Sequence, residues 1–138
     1  MTCLCRICQW WCMHTHVPAH PRAKEGAMAG KRAVRRYHVY VVELDSAVLQ
    51  EKRCRERNPQ HRLGMPCVYV GMTGLAVEQR FENHRRGYKC SRYVHRYGRR
   101  LLPELFAHLG PVSFEEAGRK EIALAEDLRQ RGLAVWQA

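Results

Sequence analysis

Two short apolar runs limit this chain to a fold built around a small sheet. Residues 37–44 read YHVYVVEL and residues 67–70 read CVYV. Both are rich in the β-branched and aromatic residues that strands favour. Neither approaches the roughly 20 apolar residues of a membrane-spanning helix, so no membrane partner is expected. A chain of 138 residues normally forms one domain with one core, which we place at residues 34–138.

The rest of this domain predicts helices packed against the sheet. Residues 75–85 and 91–97 have helical apolar spacing, and Ser113, with a glutamate three residues later, marks the start of a longer helix. Residues 101–108 are predicted as a third strand, which its proline restricts to an edge. Residues 134–137 are a candidate terminal strand. The expected fold class is α+β, an α/β sandwich in which helices flank a small antiparallel three-stranded sheet.

A polar segment, residues 45–64, separates the first two strands. It contains EKRCRERNPQHR, and the Asn58-Pro59 pair interrupts any helix there. We expect a surface insertion that holds a short helix. The two alternatives are a substrate-specific loop and a surface insertion with no role in substrate binding.

Residues 1–33 have a different composition and are predicted to be a tail outside the domain. Thiolates and imidazoles suit zinc, but the histidines lack the usual zinc-finger spacing, so we favour a disordered tail over a zinc site. A third interpretation starts translation at Met28, because Lys24-Glu25-Gly26 can be encoded by a purine-rich ribosome-binding sequence. With no secretion-signal pattern, the cysteines predict a reduced, cytoplasmic protein. The candidate zinc ligands are Cys3, Cys5, Cys8, Cys12, His14, His16 and His20.

The charge of the chain favours a polyanionic partner. Lys and Arg number 24 against 13 Asp and Glu, which gives a formal net charge of +11. Residues 85–100 concentrate seven of these cations, with tyrosines between them and no acidic residue. Such a mixture predicts a nucleic-acid-binding face, and the alternative is a solvated cationic helix. The seven cations are Arg85, Arg86, Lys89, Arg92, Arg96, Arg99 and Arg100.

Side chains suited to phosphate lie between the second strand and the helix after it. Arg80 and His84 are four residues apart and share a helical face, while Tyr69 lies in the preceding strand. A guanidinium, a phenol and the backbone N–H groups of a turn around Gly71 and Gly74 would together hold a phosphate. Each residue alone is more often structural, so the hypothesis depends on their combination.

This combination resembles the GIY-YIG nuclease family. The family motif has a tyrosine on the first strand, Y-[IV]-G-x-T on the second, and R-x-x-x-H on the following helix. The resemblance covers about residues 37–136. It departs at His38, where the family has glycine, and in the long gap between the two tyrosine motifs. The matching residues are Tyr40, Tyr69, Val70, Gly71, Thr73, Arg80 and His84.

The resemblance implies a metal-dependent endonuclease that hydrolyses nucleic-acid phosphodiester bonds, with DNA as the expected substrate and RNA as a second candidate. A helical glutamate would bind one Mg2+ or Mn2+. Tyr40 or Tyr69 would orient or deprotonate the attacking water, and Arg80 would neutralise charge on the phosphate. His84 would be auxiliary, with Gly71 allowing a tight turn beside the site. Thr73 is carried over as a structural residue.

Helical periodicity selects the glutamate. Ala117, Glu121 and Leu128 lie on one stripe of the last helix, so Glu121 should face the core. A buried carboxylate is unfavourable unless a cation accompanies it, and a metal ion or Arg80 would serve. Glu126 lies about 140° away around the helix and is predicted to be a surface charge.

The alternative interpretation is a catalytically weak or inactive GIY-YIG-like module, which would have the same fold and bind nucleic acid. Specificity in the family usually comes from appended modules, and this chain has almost none. A targeting protein partner is therefore a further expectation.

Overall fold

The computed structural model describes residues 34–138, and the predictions of a disordered tail, a zinc site and a start at Met28 fall on residues outside this range. No helix in the described range is long and apolar enough to cross a membrane. Short 3-10 helices occur at Ser46–Gln50, Pro103–Leu105 and Ala107–Leu109. The strands are β1 His38–Leu44, β2 Cys67–Thr73, β3 Gly98–Leu101 and β4 Ala134–Gln137, and the α-helices are α1 Lys52–Arg57, α2 Val77–Arg86, α3 Arg92–Tyr97 and α4 Phe114–Gln130.

The sheet has four strands in the order β3-β1-β2-β4. β1 is antiparallel to β2 and β3, whereas β4 is parallel to β2. The α+β class is confirmed, but the prediction of a three-stranded antiparallel sheet is wrong. A parallel neighbour needs a crossover connection, and α4 carries the chain across the sheet to the free edge of β2. The prediction of a third strand at residues 101–108 is wrong: β3 lies at Gly98–Leu101, and Pro103 begins the 3-10 helices that follow.

The two faces of the sheet bury different side chains. Val41, Val70 and Val135 face α4, which begins where predicted because the Ser113 hydroxyl accepts a hydrogen bond from the Glu116 amide at 3.2 Å. The opposite face carries Tyr40, Val42, Tyr69 and Trp136 and is covered by α2 and α3. Strand alternation therefore sorts the two tyrosines onto one face and α4 onto the other.

The insertion holds the expected short helix, α1, and it is packed against the sheet. Val48, Cys54 and Asn58 are buried. The Asn58 amide donates to the Val135 carbonyl at 3.0 Å and accepts from the Val135 N–H at 2.8 Å. These two bonds satisfy backbone groups on the outer edge of β4, so the insertion closes that edge of the sheet.

Candidate active site

The residues selected from the sequence converge near Gly71 of β2, with Glu121 reaching it from α4 on one face of the sheet and the others lying on the opposite face. Within residues 34–138, five polar or charged residues are buried, and four of them belong to the predicted site. The fifth, Asn58, is accounted for by its bonds to Val135 and Cys54. Tyr40, Tyr69 and Gly71 are also buried. The four buried polar site residues are Thr73, Arg80, His84 and Glu121.

Gly71 lies beneath the two tyrosine rings. It pairs with Tyr40 across β1 and β2, and Tyr69 projects from the same face two residues earlier. The two ring centroids are 6.0 Å apart. A Cβ atom on Gly71 would lie 2.9 Å from Tyr69 Cε1 and 3.1 Å from the Tyr40 hydroxyl oxygen. A glycine is therefore required because both rings lean across its backbone.

The expected tight turn at Gly71 is wrong. The residue lies inside β2, which continues to Thr73, and its φ is not positive. The chain turns after Thr73 instead. There the Thr73 hydroxyl accepts a hydrogen bond from the Leu75 amide at 3.1 Å.

His84 is completely buried and bonded at both ring nitrogens. Its Nδ1 accepts the Ser91 backbone N–H at 2.9 Å, so the proton of the neutral ring is on Nε2. Nε2 lies 2.8 Å from the Tyr40 hydroxyl oxygen and therefore donates to it. Consequently the hydroxyl hydrogen of Tyr40 is directed away from His84 and toward other partners.

The environment keeps this histidine uncharged. Burial, the positive charge of Arg80 and the neighbouring His95 together lower the pKa of His84 to about 3, and burial is the largest of these causes. A neutral ring with its proton on Nε2 cannot take a proton from Tyr40. His84 thus orients the phenol by donating a hydrogen bond to its oxygen.

Both phenols are neutral at pH 7. Burial raises the pKa of Tyr40, while the Arg80 charge and the Tyr69 side chain lower it. Burial raises the pKa of Tyr69 well above its usual range, Tyr40 adds to the increase, and Arg80 opposes it. The groups around Tyr40 counteract the effect of burial on its pKa more fully than those around Tyr69 do.

Arg80 is buried beside the tyrosines on the inward face of α2. One of its terminal nitrogens donates to the Lys89 carbonyl at 2.9 Å. Lys89 has φ of 43°, a left-handed conformation that is uncommon for a residue other than glycine. The turn after α2 therefore fixes the guanidinium beside the phenols.

A phosphate held between Arg80 and His84, as the sequence suggested, does not fit this geometry. Both nitrogens of His84 are already bonded and the ring has no exposed surface. A phosphate would contact Arg80 and Tyr40 instead, with His84 behind the phenol. The predicted auxiliary role of His84 is compatible with this arrangement.

Glu121 faces the core from α4, as its periodicity predicted, and is 4 % exposed. One oxygen, Oε1, accepts from the Gln137 side-chain amide at 3.3 Å. The other, Oε2, is buried without a hydrogen-bond partner in the described part of the chain. The pKa of Glu121 is raised to about 7, because the effect of burial exceeds the opposing effect of the Gln137 hydrogen bond. Glu126 is exposed, which confirms the predicted contrast.

The position of Gln137 places Glu121 near the tyrosines. Gln137 is opposite Val70, and within residues 34–138 β4 pairs with β2 no further than this residue. The carboxylate therefore lies at the end of β4, beside the part of β2 that contains Gly71. Its negative charge contributes to the raised pKa of both Tyr40 and Tyr69.

Arg80 does not neutralise this carboxylate. Among the ion pairs of residues 34–138, none joins Arg80 to Glu121. Of the two partners proposed for Glu121, the metal ion fits better, because Oε2 is a hard oxygen that lacks a donor. The described residues hold no cluster of three or more His, Cys, Asp or Glu side chains suited to a metal. Glu121 would thus be a single protein ligand, with water and substrate oxygens as the others.

Most of the basic stretch is already paired. Although residues 85–100 contain no acid, the fold brings Glu43, Asp45 and Glu51 to them from β1 and the insertion. One oxygen of Glu51 contacts Arg92 at 3.2 Å and Arg96 at 3.5 Å. In the described part of the chain, only Arg85 and Lys89 of the seven cations lack an ion pair. The paired cations are Arg86 with Glu82, Arg92 and Arg96 with Glu51, Arg99 with Asp45, and Arg100 with Glu43.

Sequence reasoning missed three groups at the site. The Gln137 side chain binds Glu121. The position of Gln137 at the end of a predicted strand was the only sequence feature that could have indicated this contact. The Ser91 amide and the Lys89 carbonyl fix His84 and Arg80, but these are backbone groups. No side-chain pattern reports them, so only the folded turn identifies their role.

Comparisons with protein-family models, with curated proteins and with solved structures found no match.

Proposed function

We propose that this domain is a metal-dependent endonuclease that hydrolyses nucleic-acid phosphodiester bonds, with DNA as the expected substrate. The observation that carries the proposal is the buried polar cluster of Tyr40, Tyr69, Arg80 and Glu121 around Gly71. Burying a guanidinium and an incompletely bonded carboxyl group disfavours folding, and such groups concentrate where a protein performs chemistry. A phenol, a guanidinium and a carboxylate are suited to phosphoryl transfer.

Tyr40 would contact the attacking water. In hydrolysis, the water oxygen forms a bond to phosphorus and the bond from phosphorus to the leaving sugar oxygen breaks. The Tyr40 oxygen receives a hydrogen bond from His84, which holds the phenol in place and stabilises negative charge on it. Because Arg80 and Tyr69 oppose the effect of burial on its pKa, Tyr40 is better suited than Tyr69 to release its own proton to solvent and then, as the phenolate, to take one from the attacking water. The leaving sugar oxygen would take a proton from solvent.

Arg80 would bind the scissile phosphate. Its guanidinium is fixed by the Lys89 carbonyl, so its charge is already in place when negative charge builds up on the phosphate oxygens. Tyr69 would form the neighbouring wall and exclude water.

Glu121 would hold one Mg2+ or Mn2+ through its unbonded Oε2 atom, and Gln137 would orient the carboxylate. When bound, the ion supplies a positive charge that polarises the phosphate. The raised pKa of Glu121 fits this assignment, since a nearby cation favours the ionised carboxylate that burial disfavours.

Cleavage of a substrate panel tests the proposal. Plasmid, single-stranded, branched and RNA substrates would be incubated with the protein in Mg2+, Mn2+ or EDTA. We expect cleavage with either metal and none in EDTA. Arg80→Ala should remove cleavage, whereas Arg119→Ala, an exposed arginine on α4, should not.

The alternative function is nucleic-acid binding without hydrolysis. The single carboxylate ligand and the two neutral phenols are the features that favour it. Salt-sensitive binding by the parent protein, with no cleavage of any substrate in either metal, would select this alternative and overturn the proposed nuclease.

A further inference from the structure

The turn between α2 and α3 carries the unpaired cations of the basic stretch. Arg85 and Lys89 flank Tyr88, and within residues 34–138 neither cation has an ion pair. Tyr88 is 59 % exposed and is the aromatic member of the large exposed hydrophobic side chains in this range. The Lys89 ammonium lies 5.5 Å from the centre of the Tyr88 ring. An exposed aromatic ring between available cations suits a nucleic-acid strand.

The backbone of this turn is fixed on both sides of Tyr88. Gly87, with φ of 78°, ends α2, and its N–H donates to the His84 carbonyl at 3.2 Å. The Tyr88 N–H donates to the Asn83 carbonyl at 2.9 Å, which completes a Schellman motif. A residue at this position usually packs an apolar side chain against its helix. Tyr88 instead presents its ring to solvent.

The same turn is attached to the proposed active site. Lys89 accepts a hydrogen bond from Arg80, and Ser91 donates one to His84. Adjacent Cα atoms are about 3.8 Å apart, so the backbone of Tyr88 is next to that of Lys89, whose carbonyl group fixes Arg80. A nucleotide on Tyr88 would therefore neighbour a phosphate on Arg80.

We propose that the α2–α3 turn binds an unpaired nucleotide next to the scissile phosphate, with Tyr88 stacking on its base and Arg85 and Lys89 contacting its phosphates. This inference rests on the proposed function, since it names the substrate class of that site. A base inside a duplex has both faces covered by its neighbours, whereas an unpaired base offers one to Tyr88. The preferred substrates are then single strands and structures with unpaired nucleotides at the cut.

Binding measured in EDTA separates stacking from catalysis. The full-length protein would be titrated into a fluorescein-labelled single strand and into its duplex. Tyr88→Ala should weaken single-strand binding about 5- to 150-fold, the range expected for one stacked base, and should change duplex binding less than about two-fold. Tyr88→Phe, which keeps the ring, should retain single-strand affinity within about two-fold.

Salt dependence tests the two cations. Lys89→Gln and Arg85→Gln should each lower the slope of log affinity against log salt by about 0.7 on a single strand, the value for one phosphate contact. Arg119→Gln is the matched control, because Arg119 is an exposed arginine on α4, across the sheet from this turn, and should leave the slope unchanged. Equal slopes for all three variants would overturn the assignment of phosphate contacts.

Two further outcomes distinguish this inference from the proposed function. The unpaired-nucleotide site is refuted if Tyr88→Ala weakens single-strand and duplex binding equally, or if it weakens neither of them. This holds even where cleavage is observed. If the stacking effect is found but the parent protein cleaves nothing in Mg2+ or Mn2+, the endonuclease is refuted. The turn is then a site for unpaired nucleotides in a binding module. Only the statement that the bound nucleotide lies next to a scissile phosphate is refuted.

Discussion

Replacing Gly71 with alanine perturbs the proposed active site without removing any of its functional groups. The new Cβ atom would lie 2.9 Å from Tyr69 Cε1, and 3.1 Å and 3.2 Å from the hydroxyl oxygen and Cζ of Tyr40. To restore ordinary van der Waals separation, the Tyr69 ring must move by about half an ångström. Tyr40 cannot yield freely, because its hydroxyl is held by His84 at 2.8 Å. The strain therefore falls on the two phenols.

The expected effects on stability and on rate differ in size. Overpacking costs about 1–3 kcal/mol, and replacing a strand glycine with alanine returns about 0.5–1 kcal/mol, so the free energy of unfolding should fall by up to about 2.5 kcal/mol. Displacing the group that contacts the attacking water should lower the cleavage rate about 10- to 100-fold. Urea denaturation and plasmid cleavage, measured on the same preparation, give the two quantities.

A second glycine provides the control. Gly118 lies inside α4, and a Cβ atom there meets nothing within 4 Å. Gly118→Ala should raise the free energy of unfolding by up to about 1 kcal/mol, because alanine favours helix, and should leave cleavage unchanged. If folded Gly71→Ala cleaves as fast as Gly118→Ala, the placement of the tyrosines over Gly71 does not matter for function and the reasoning fails.

Three further substitutions test other parts of the structure. The pKa of Glu121 is raised from 4.5 to about 7, chiefly by burial. In EDTA, its contribution to the free energy of unfolding is therefore fully present below pH 4.5 and is lost as pH rises to 7, a change of about 3 kcal/mol. Glu121→Gln should flatten this dependence in urea denaturation from pH 4 to 8, and an unchanged profile would refute the assignment. Glu51→Gln should release Arg92 and Arg96, tightening nucleic-acid binding at low salt while lowering stability by about 1 kcal/mol, and weaker binding would contradict this. Asn58→Ala should lower the free energy of unfolding by about 2–4 kcal/mol by leaving buried Val135 backbone groups unbonded, whereas exposed Gln130→Ala should have little effect.

The sequence predicted which side chains belong to the site better than it predicted how they are held. Residue type and spacing placed Tyr40 and Tyr69 on strands, Arg80 and His84 on one helical face, and Glu121 toward the core. These positions follow from the periods of strand and helix, which are local properties. The same periodicity correctly separated Glu121 from the exposed Glu126.

Long-range pairing accounts for what the sequence did not predict. The pattern of residues 134–137 indicates a strand but not its partner, so the parallel pairing with β2 was missed. Likewise, residues 85–100 contain no acid, yet Glu51 reaches two of their arginines from the insertion. The role of Gly71 was also misassigned, because its neighbours come from two strands that only the fold aligns.

The most direct test of the account is the initial rate of plasmid nicking in Mg2+ by the parent protein, Glu121→Gln and Glu126→Gln. Both substitutions replace a glutamate of α4 by glutamine, but one removes the buried carboxylate beside the tyrosines and the other an exposed charge. We predict metal-dependent nicking by the parent protein and Glu126→Gln, and loss of nicking in a folded Glu121→Gln. Equal nicking by the two variants, or none by the parent protein, would contradict the assignment of this cluster as a nuclease active site.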